Sequence, residues 1–187
     1  MTVWKAFLLA VLLSFTACGP PVAQYLVDPP ASELRLRPIV SSVEIRDVSL
    51  PRYAAADEIS LQDADGAVRA VRGTAWADLP QRSVTRTLAR NIGIILNNRA
   101  AAEPWPFADP PGAEVTVLVD RMLVGNDGLF RLSGQYAIAP LDSGISDRSG
   151  RFDITKPVLG ESLNAVAAAN GAALVELSES IARRLAR

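Results

Sequence analysis

The chain has 187 residues, of which 49% are hydrophobic, 19 are Lys or Arg and 20 are Asp or Glu. This is enough apolar material for one folded domain, and the near-neutral charge gives no electrostatic basis for binding nucleic acid. One cysteine and no histidine are present, which excludes zinc sites built on those residues and the Ser-His-Asp and Cys-His catalytic arrangements. These counts close the common catalytic routes and leave enzymes of other kinds open. Our prediction is that the protein is not an enzyme and has no catalytic residue, metal site or dissociable cofactor.

The N-terminal residues have the pattern of a secretory leader. A positively charged start is followed by an apolar run at residues 6–17, which is too short to span a bilayer. The stretch Phe15-Thr16-Ala17-Cys18 resembles the lipobox of bacterial lipoproteins, in which the leader is cut before the cysteine and the thiol receives a diacylglycerol. We predict a signal peptide at residues 1–17 and covalent acyl chains on Cys18. The alternative is an incidental cysteine in a leader that is discarded.

The residue after the cysteine bears on location. In lipoproteins of Gram-negative bacteria an Asp at that position commonly retains the protein at the inner membrane, so Gly19 favours the outer membrane. We predict an acylated tether at residues 18–24 and a single domain at residues 25–187.

The first part of the predicted domain is rich in strand patterns. Residues 25–27 predict a first strand, and residues 37–53 predict a second strand whose alternation shifts between Ile45 and Val48, as at a bulge. Residues 58–71 predict a hairpin, because the sequence Asp-Ala-Asp-Gly at residues 63–66 separates two short alternating runs. The same turn chemistry accounts for the paired carboxylates there.

A helix is predicted next, with Asp78 as its N-cap and Pro80 in its first turn. It ends near Asn97, after one apolar stripe at helical spacing, formed by Val84, Leu88, Ile92, Ile95 and Leu96. Residues 100–113 contain four prolines and predict a loop.

The clearest strand signal covers residues 114–141, where alternating apolar residues run into a turn at residues 125–128 and back. A turn at residues 147–150 predicts a further short strand at residues 151–154. A long amphipathic helix opens near Glu161, with an apolar stripe of Leu163, Val166, Asn170, Leu174, Leu177, Ile181 and Leu185. The fold class predicted is α+β, a two-layer sandwich with a largely antiparallel sheet and two main helices packed on one face.

Two groups of residues are candidates for binding a partner. Arg82, Arg86 and Arg90 recur every four residues on the first helix, where like charges repel. They form either a solvated face or a docking strip for an acidic partner or phosphates. Trp105 and Phe107 lie in the proline-rich loop and either fold over the edge of the core or contact another subunit. The side chain of Trp76, just before the helix, is predicted to pack into the hydrophobic core.

Six features in order resemble the ABC-type transport auxiliary lipoprotein family and together cover nearly the whole mature chain. They are the lipobox Cys18, Tyr25-Leu26, the strand ending Val48-Ser49-Leu50-Pro51-Arg52-Tyr53, Glu58-Ile59-Ser60-Leu61, Trp76-Ala77-Asp78-Leu79 before the helix with Leu88 and Ile92, and the final hairpin and helix. The chain departs from the family pattern at Phe15 and Thr16 of the lipobox and at Ile59-Ser60-Leu61-Gln62, where family members often have a Tyr or Arg.

The resemblance implies an outer-membrane lipoprotein that faces the periplasm and serves an MCE-type system for lipids or hydrophobic solutes. In such a system an inner-membrane ABC transporter works with a periplasmic MCE-domain protein, which the auxiliary subunit docks at the outer membrane. Family members can assemble into rings, so a homo-oligomer is a further expectation. The alternative function is a lipid-binding carrier that holds an acyl chain in its own domain. An enzyme is the weakest hypothesis, since no Gly-x-Ser-x-Gly motif is present.

Overall fold

The computed structural model describes residues 21–142 and 144–186, so the predicted leader and Cys18 lie outside the described residues. Within them the chain forms nine strands and three helices. In chain order these are β1 Ala23–Tyr25, β2 Ser42–Ile45, α1 Arg52–Ala55, β3 Ser60–Gln62, β4 Val68–Ala70, β5 Thr74–Trp76, α2 Pro80–Leu96, β6 Arg99–Ala102, β7 Ala113–Val124, β8 Leu129–Pro140, β9 Arg148–Pro157 and α3 Leu163–Leu185.

Strand β7 is the centre of a seven-stranded sheet. One of its edges pairs antiparallel with β8, which pairs antiparallel with β9. The other edge is shared, because β2 runs parallel to the first part of β7 and β3 meets its last residue. Strand β6 continues the sheet parallel to β2, while β4 closes a hairpin with β3. The predicted sheet is confirmed as largely antiparallel, with a parallel section around β2. Strands β1 and β5 form a separate parallel pair.

Alternation along the β7–β8 hairpin puts one row of apolar side chains into the core. Val115 lies opposite Ile138 and Val117 opposite Tyr136, and all four side chains are buried. Branched and aromatic side chains at alternate positions suit the pleated surface of a half-buried strand. A register shift after Val119 keeps the later residues of β7 on the same core face.

The two long helices cover the core side of the sheet. Helix α2 packs on β2 and β6, helix α3 packs on β8 and β9, and the helices also contact each other. Both predicted apolar stripes are confirmed as buried, except for Leu163 at the start of α3, which is half-buried. Two helices on one face of the sheet confirm the predicted two-layer sandwich.

Residues 26–41 run alongside helices α2 and α3. Their contacts show that the two helices run in the same direction. Successive contacts along this segment move from the middle of α3 to the last residues of both helices. They are Pro29 against Gly171, the Ser32 hydroxyl donating to Glu179 at 2.7 Å, the Leu36 N–H donating to the Ile95 carbonyl at 2.8 Å, and the Ile39 N–H donating to the Leu185 carbonyl at 3.0 Å. Residues 21–25 therefore lie at the end of the domain where both helices begin.

Several predicted boundaries were wrong. Asp78 is not the N-cap of α2, because Pro80 takes the first helical position and Leu79 before it is extended. The predicted loop at residues 100–113 begins as strand β6, which pairs with β2. The first strand lies at Ala23–Tyr25, so it includes two residues predicted to belong to the tether.

The remaining predicted elements are present in the structure and differ from the prediction mainly in where they begin or end. The second predicted strand is regular only at β2 and then bulges, since the Ile45–Val115 pair is followed by a bridge from Ser49 to Leu118. The hairpin of β3 and β4 and the last helix are confirmed, and Ser162 caps α3 by accepting the Ala165 N–H at 3.2 Å. Strand β9 spans ten residues rather than the four predicted.

Gly134 on β8 marks a place where the sheet has no room for a side chain. A Cβ atom there would overlap the Leu118 carbonyl oxygen and lie 2.8 Å from the Phe152 ring. We expect Gly134→Ala to lower the free energy of unfolding by about 1–3 kcal/mol, because overpacking forces the strands apart. Urea denaturation of the full chain measures this, with the half-buried neighbour Ser133→Ala as control. Equal stability of the two variants would contradict the close packing.

Candidate functional site

A groove of about 460 Å³ lies beside the first two turns of α2. The helix supplies one wall, and the bulge after β2 together with the loop after β6 supplies the other. The side chains that form it are Leu79, Arg82, Thr85 and Arg86 on the helix side and Asp47, Glu103 and Pro104 on the opposite side. The groove therefore joins one predicted partner-binding group, the arginines, to the loop that carries the other.

Thr85 holds the two walls at a fixed separation. Its hydroxyl accepts the Val48 N–H at 3.1 Å and donates to the Gln81 carbonyl at 2.8 Å. Val48 lies within the bulge, where its N–H has left the β7 ladder, so Thr85 satisfies a donor that burial would otherwise leave without a partner. The hydroxyl thus ties the irregular end of β2 to the second turn of α2.

The helix wall is basic but partly neutralised. The Arg82 Nε donates to an Asp78 carboxylate oxygen at 2.8 Å, and this hydrogen bond lowers the pKa of Asp78 and raises the pKa of Arg82. Arg86 is exposed and makes no ion pair with the residues that the structure describes. Arg86 is therefore the cation of this wall that a partner carboxylate or phosphate can reach without displacing Asp78.

The opposite wall is acidic. Glu103 accepts the Asp47 N–H at 3.0 Å and pairs with Arg46 at 3.1 Å, which fixes its position beside the bulge. Behind it, burial raises the pKa of Glu44, and the neighbouring carboxylate of Glu114 raises it further. The groove thus presents a cation on one side and carboxylates on the other, with the half-exposed Leu79 at one end.

Trp105 and Phe107 form a small cluster on the loop after β6. Their ring centroids are 4.9 Å apart in an edge-to-face arrangement, and the Arg99 guanidinium lies 5.4 Å from the Phe107 centroid. The Trp105 Nε1 donates to the Asp109 carbonyl at 2.7 Å, so the loop is closed on itself. Trp105 is half-buried while Phe107 is exposed, and the partner-binding role predicted for both stays a prediction.

Arg90 is separated from the groove. Its guanidinium donates to the Pro29 carbonyl at 2.7 Å and lies 3.8 Å from the Asp28 carboxylate. The three arginines therefore do not form one continuous strip, since only Arg82 and Arg86 line the groove. Asp47, Thr85 and Glu103 could not be identified as groove residues from the sequence, because their proximity depends on the pairing of β6 with β2.

Two small cavities flank Asn170 on α3, with volumes of about 10 and 20 Å³. Trp76 and Met122 line both, so Trp76 packs against the core as predicted, although it is half-buried. The Asn170 Oδ1 is buried and has no hydrogen-bond partner among the described residues. Each space has the size that one ordered water requires.

A comparison with models of protein families identifies the family of this chain. A family model described as ABC-type transport auxiliary lipoprotein component matches residues 25–182. The chain belongs to this family. The match runs from β1 to the last turns of α3, so the family domain includes the groove, both long helices and the whole sheet.

Two solved structures have the same fold as this chain. An uncharacterised protein superimposes with a TM-score of 0.72 at 15% identity, covering 88% of this chain and 99% of that one. A protein from Xanthomonas campestris, described as DUF330, gives a TM-score of 0.67 at 16% identity, covering 86% and 94%.

A PelC dodecamer from Paraburkholderia phytofirmans gives a TM-score of only 0.43 at 14% identity, with 86% and 96% covered, and this likeness carries no argument about assembly. No curated protein matches the chain. Residues 21–142 and 144–186 contain no helix with the length and apolar character needed to cross a bilayer.

The bond from Val48 to Thr85 can be tested by a nearly isosteric change. We expect Thr85→Val to lower the free energy of unfolding by about 1–3 kcal/mol, because the buried Val48 N–H loses its acceptor. Thr85→Ser keeps the hydroxyl and is the matched control, with a smaller loss. The measurement is urea denaturation of both full-length variants. If valine were as stable as threonine, the hydroxyl would not hold the groove walls together.

Proposed function

We propose that this auxiliary lipoprotein is anchored in the outer membrane, faces the periplasm and docks the MCE-domain protein of an ABC transport system for lipids or hydrophobic solutes. Membership of the auxiliary family supports the transport role. The observation that carries the docking role is the groove beside α2, which combines an exposed cation, carboxylates and an apolar end. Such a surface suits a protein partner, and the energy for transport would come from ATP hydrolysis in a separate subunit.

The anchor is the acylated Cys18. A diacylglycerol and an N-acyl chain together place three hydrocarbon chains in the bilayer, and each buried methylene contributes about 0.8 kcal/mol. The resemblance to a lipobox and the lipoprotein character of the family support this assignment. The choice of the outer membrane rests on Gly19 after the cysteine.

The groove favours docking of a polypeptide segment over docking of a lipid. Interfaces are held mainly by a few well-placed aromatic and arginine side chains around a desolvated centre. Arg86 offers such a side chain inside the groove, Leu79 offers apolar surface at its end, and Phe107 lies on the loop that continues its far wall. A segment with an acidic residue next to an apolar one would match this arrangement.

The carrier function has less support than docking. The cavities at Asn170 hold about 10 and 20 Å³, which is the space of a water and far too little for an acyl chain. The helix stripes that face the sheet are buried against it, so the described core is filled. Assembly into a ring stays a prediction from the family resemblance.

The anchor is tested by Cys18→Ala in the full-length protein expressed in a Gram-negative host. We expect the wild-type protein to incorporate a palmitate analogue and to fractionate with outer membranes. The variant should incorporate none and lose membrane association, because the thiol is the site of acylation. A wild-type protein that remains unlabelled after processing would contradict the anchor.

Docking is tested by charge reversal in the groove. We expect Arg86→Glu to weaken binding of the MCE-domain protein from the same organism about tenfold, or about 1.4 kcal/mol, since it removes a cation at the centre of the proposed contact. Arg151→Glu on the exposed face of β9 is the matched control and should bind as wild type. Binding is measured by biolayer interferometry on acylated protein in nanodiscs. Unchanged affinity for Arg86→Glu would remove the groove from the interface.

A further inference from the structure

Exposed apolar side chains are concentrated at the end of the domain where α2 and α3 begin, which we term the helix-start end. Among the described residues, the large apolar side chains that are clearly exposed at this end are Val22, Leu26, Val68, Leu79 and Leu159. Ile39, Phe107 and Leu141 are the large apolar side chains exposed in the same way near the opposite end, where the helices finish. An apolar surface of this kind on one end of a domain marks a contact with a partner or a membrane.

Backbone hydrogen bonds place the residues that carry three of these side chains on neighbouring segments. The Ala23 N–H, next to Val22, donates to the Gly73 carbonyl at 2.9 Å. The Tyr25 carbonyl, next to Leu26, accepts the Ala77 N–H at 2.8 Å, only two residues before Leu79. Leu79 directly precedes the first residue of α2. The start of the domain and the start of α2 therefore lie side by side, and both expose apolar side chains there, with Leu26 64% and Leu79 54% exposed.

Leu159 and Val68 extend this surface across the same end. Leu159 is 84% exposed and precedes α3, beside an open apolar groove of about 350 Å³ that is lined by alanines of α3. Val68 pairs with Gln62, which lies beyond the last residue of β7 because its neighbour Leu61 pairs with Val124. The hairpin of β3 and β4 and the start of α3 thus border the same end.

Four carboxylates in the turns at this end are matched by arginines. Arg69 pairs with both Asp63 and Asp65 in the hairpin turn, and Asp78 pairs with Arg82. Arg131 pairs with Asp127 in the turn between β7 and β8 and lowers the pKa of Asp127 to about 2. The paired charges leave these turns without a strong field of one sign, so they do not repel a phospholipid surface.

We propose that the helix-start end is the surface that lies against the bilayer, with Leu26, Leu79 and Leu159 in the headgroup region. This inference rests on the acyl anchor proposed at Cys18. Val22 is four residues after Cys18, so the two are at most about 14 Å apart even when the chain is extended. An anchor that short holds this end, and not the opposite one, at the membrane.

The length of the domain separates the two ends well. Helix α3 has 23 residues, which corresponds to about 35 Å. Apolar side chains of peripheral proteins enter the boundary of headgroups and acyl chains by about 5–10 Å. Ile39 and Leu141 therefore lie far outside the bilayer when Leu26 and Leu79 touch it.

The lone cysteine makes the experiment selective. In acylated protein the Cys18 thiol is bonded to lipid, so a cysteine introduced elsewhere is the one thiol that a reagent can label. We would introduce Leu26→Cys, Leu79→Cys and Leu159→Cys, with Ile39→Cys and Leu141→Cys as controls, each in the full-length acylated protein. Each would carry an NBD fluorophore in vesicles of phosphatidylethanolamine and phosphatidylglycerol, and thermal unfolding would verify that each is folded.

We expect NBD at Leu26, Leu79 and Leu159 to shift its emission to the blue and to be quenched several-fold more by a shallow nitroxide lipid than NBD at Ile39 or Leu141. Equal quenching at both ends would overturn the proposed orientation. A blue shift without nitroxide quenching would also overturn it, because the surface would then contact another protein copy.

The parent protein, which has no introduced cysteine, distinguishes a failure of the orientation from a failure of the anchor. When the parent is acylated at Cys18, it takes up no thiol reagent and floats with the vesicles. A parent that takes up one label and fails to float would overturn the anchor, and the orientation with it. An unlabelled, floating parent whose variants show no difference between ends would overturn the orientation alone.

Discussion

The divided edge of β7 is the constraint on which the rest of the architecture depends. Strand β8 occupies one edge along its whole length, while β2 and β3 must share the other. Because β2 pairs only with the first part of β7, the chain leaves the sheet in a bulge after Ile45 and returns at Ser49. That departure frees the Val48 N–H for Thr85 and moves Asp47 next to Glu103. The groove beside α2 is thus a consequence of how one strand edge is shared.

Elements whose pattern is local could be predicted from the sequence. The buried stripes of α2 and α3 and the long β7–β8 hairpin repeat every few residues, so periodicity alone identifies them. Strand β6 could not be predicted in this way, because it consists of one arginine and three alanines next to a proline-rich stretch. It is a strand only because β2, far earlier in the chain, offers it a parallel edge.

The start of α2 shows a competition between two local rules. An aspartate two residues before a proline favours an N-cap, but the residue before a proline is held out of the helical region. Leu79 obeys the second rule, so the helix starts at Pro80 and Asp78 turns its carboxylate to Arg82. The candidate site could be predicted only in part for the same reason. The sequence indicated the arginines, but their partners were set by boundaries that periodicity does not define.

The two proposals together give the docking site a position relative to the membrane. Arg86 is six residues after Pro80, which corresponds to about 9 Å along α2 from the helix-start end. If that end lies on the bilayer, a protein held in the groove reaches almost to the headgroups. Such a position suits an auxiliary subunit, because the subunit then needs only to hold its partner where the partner can meet the membrane.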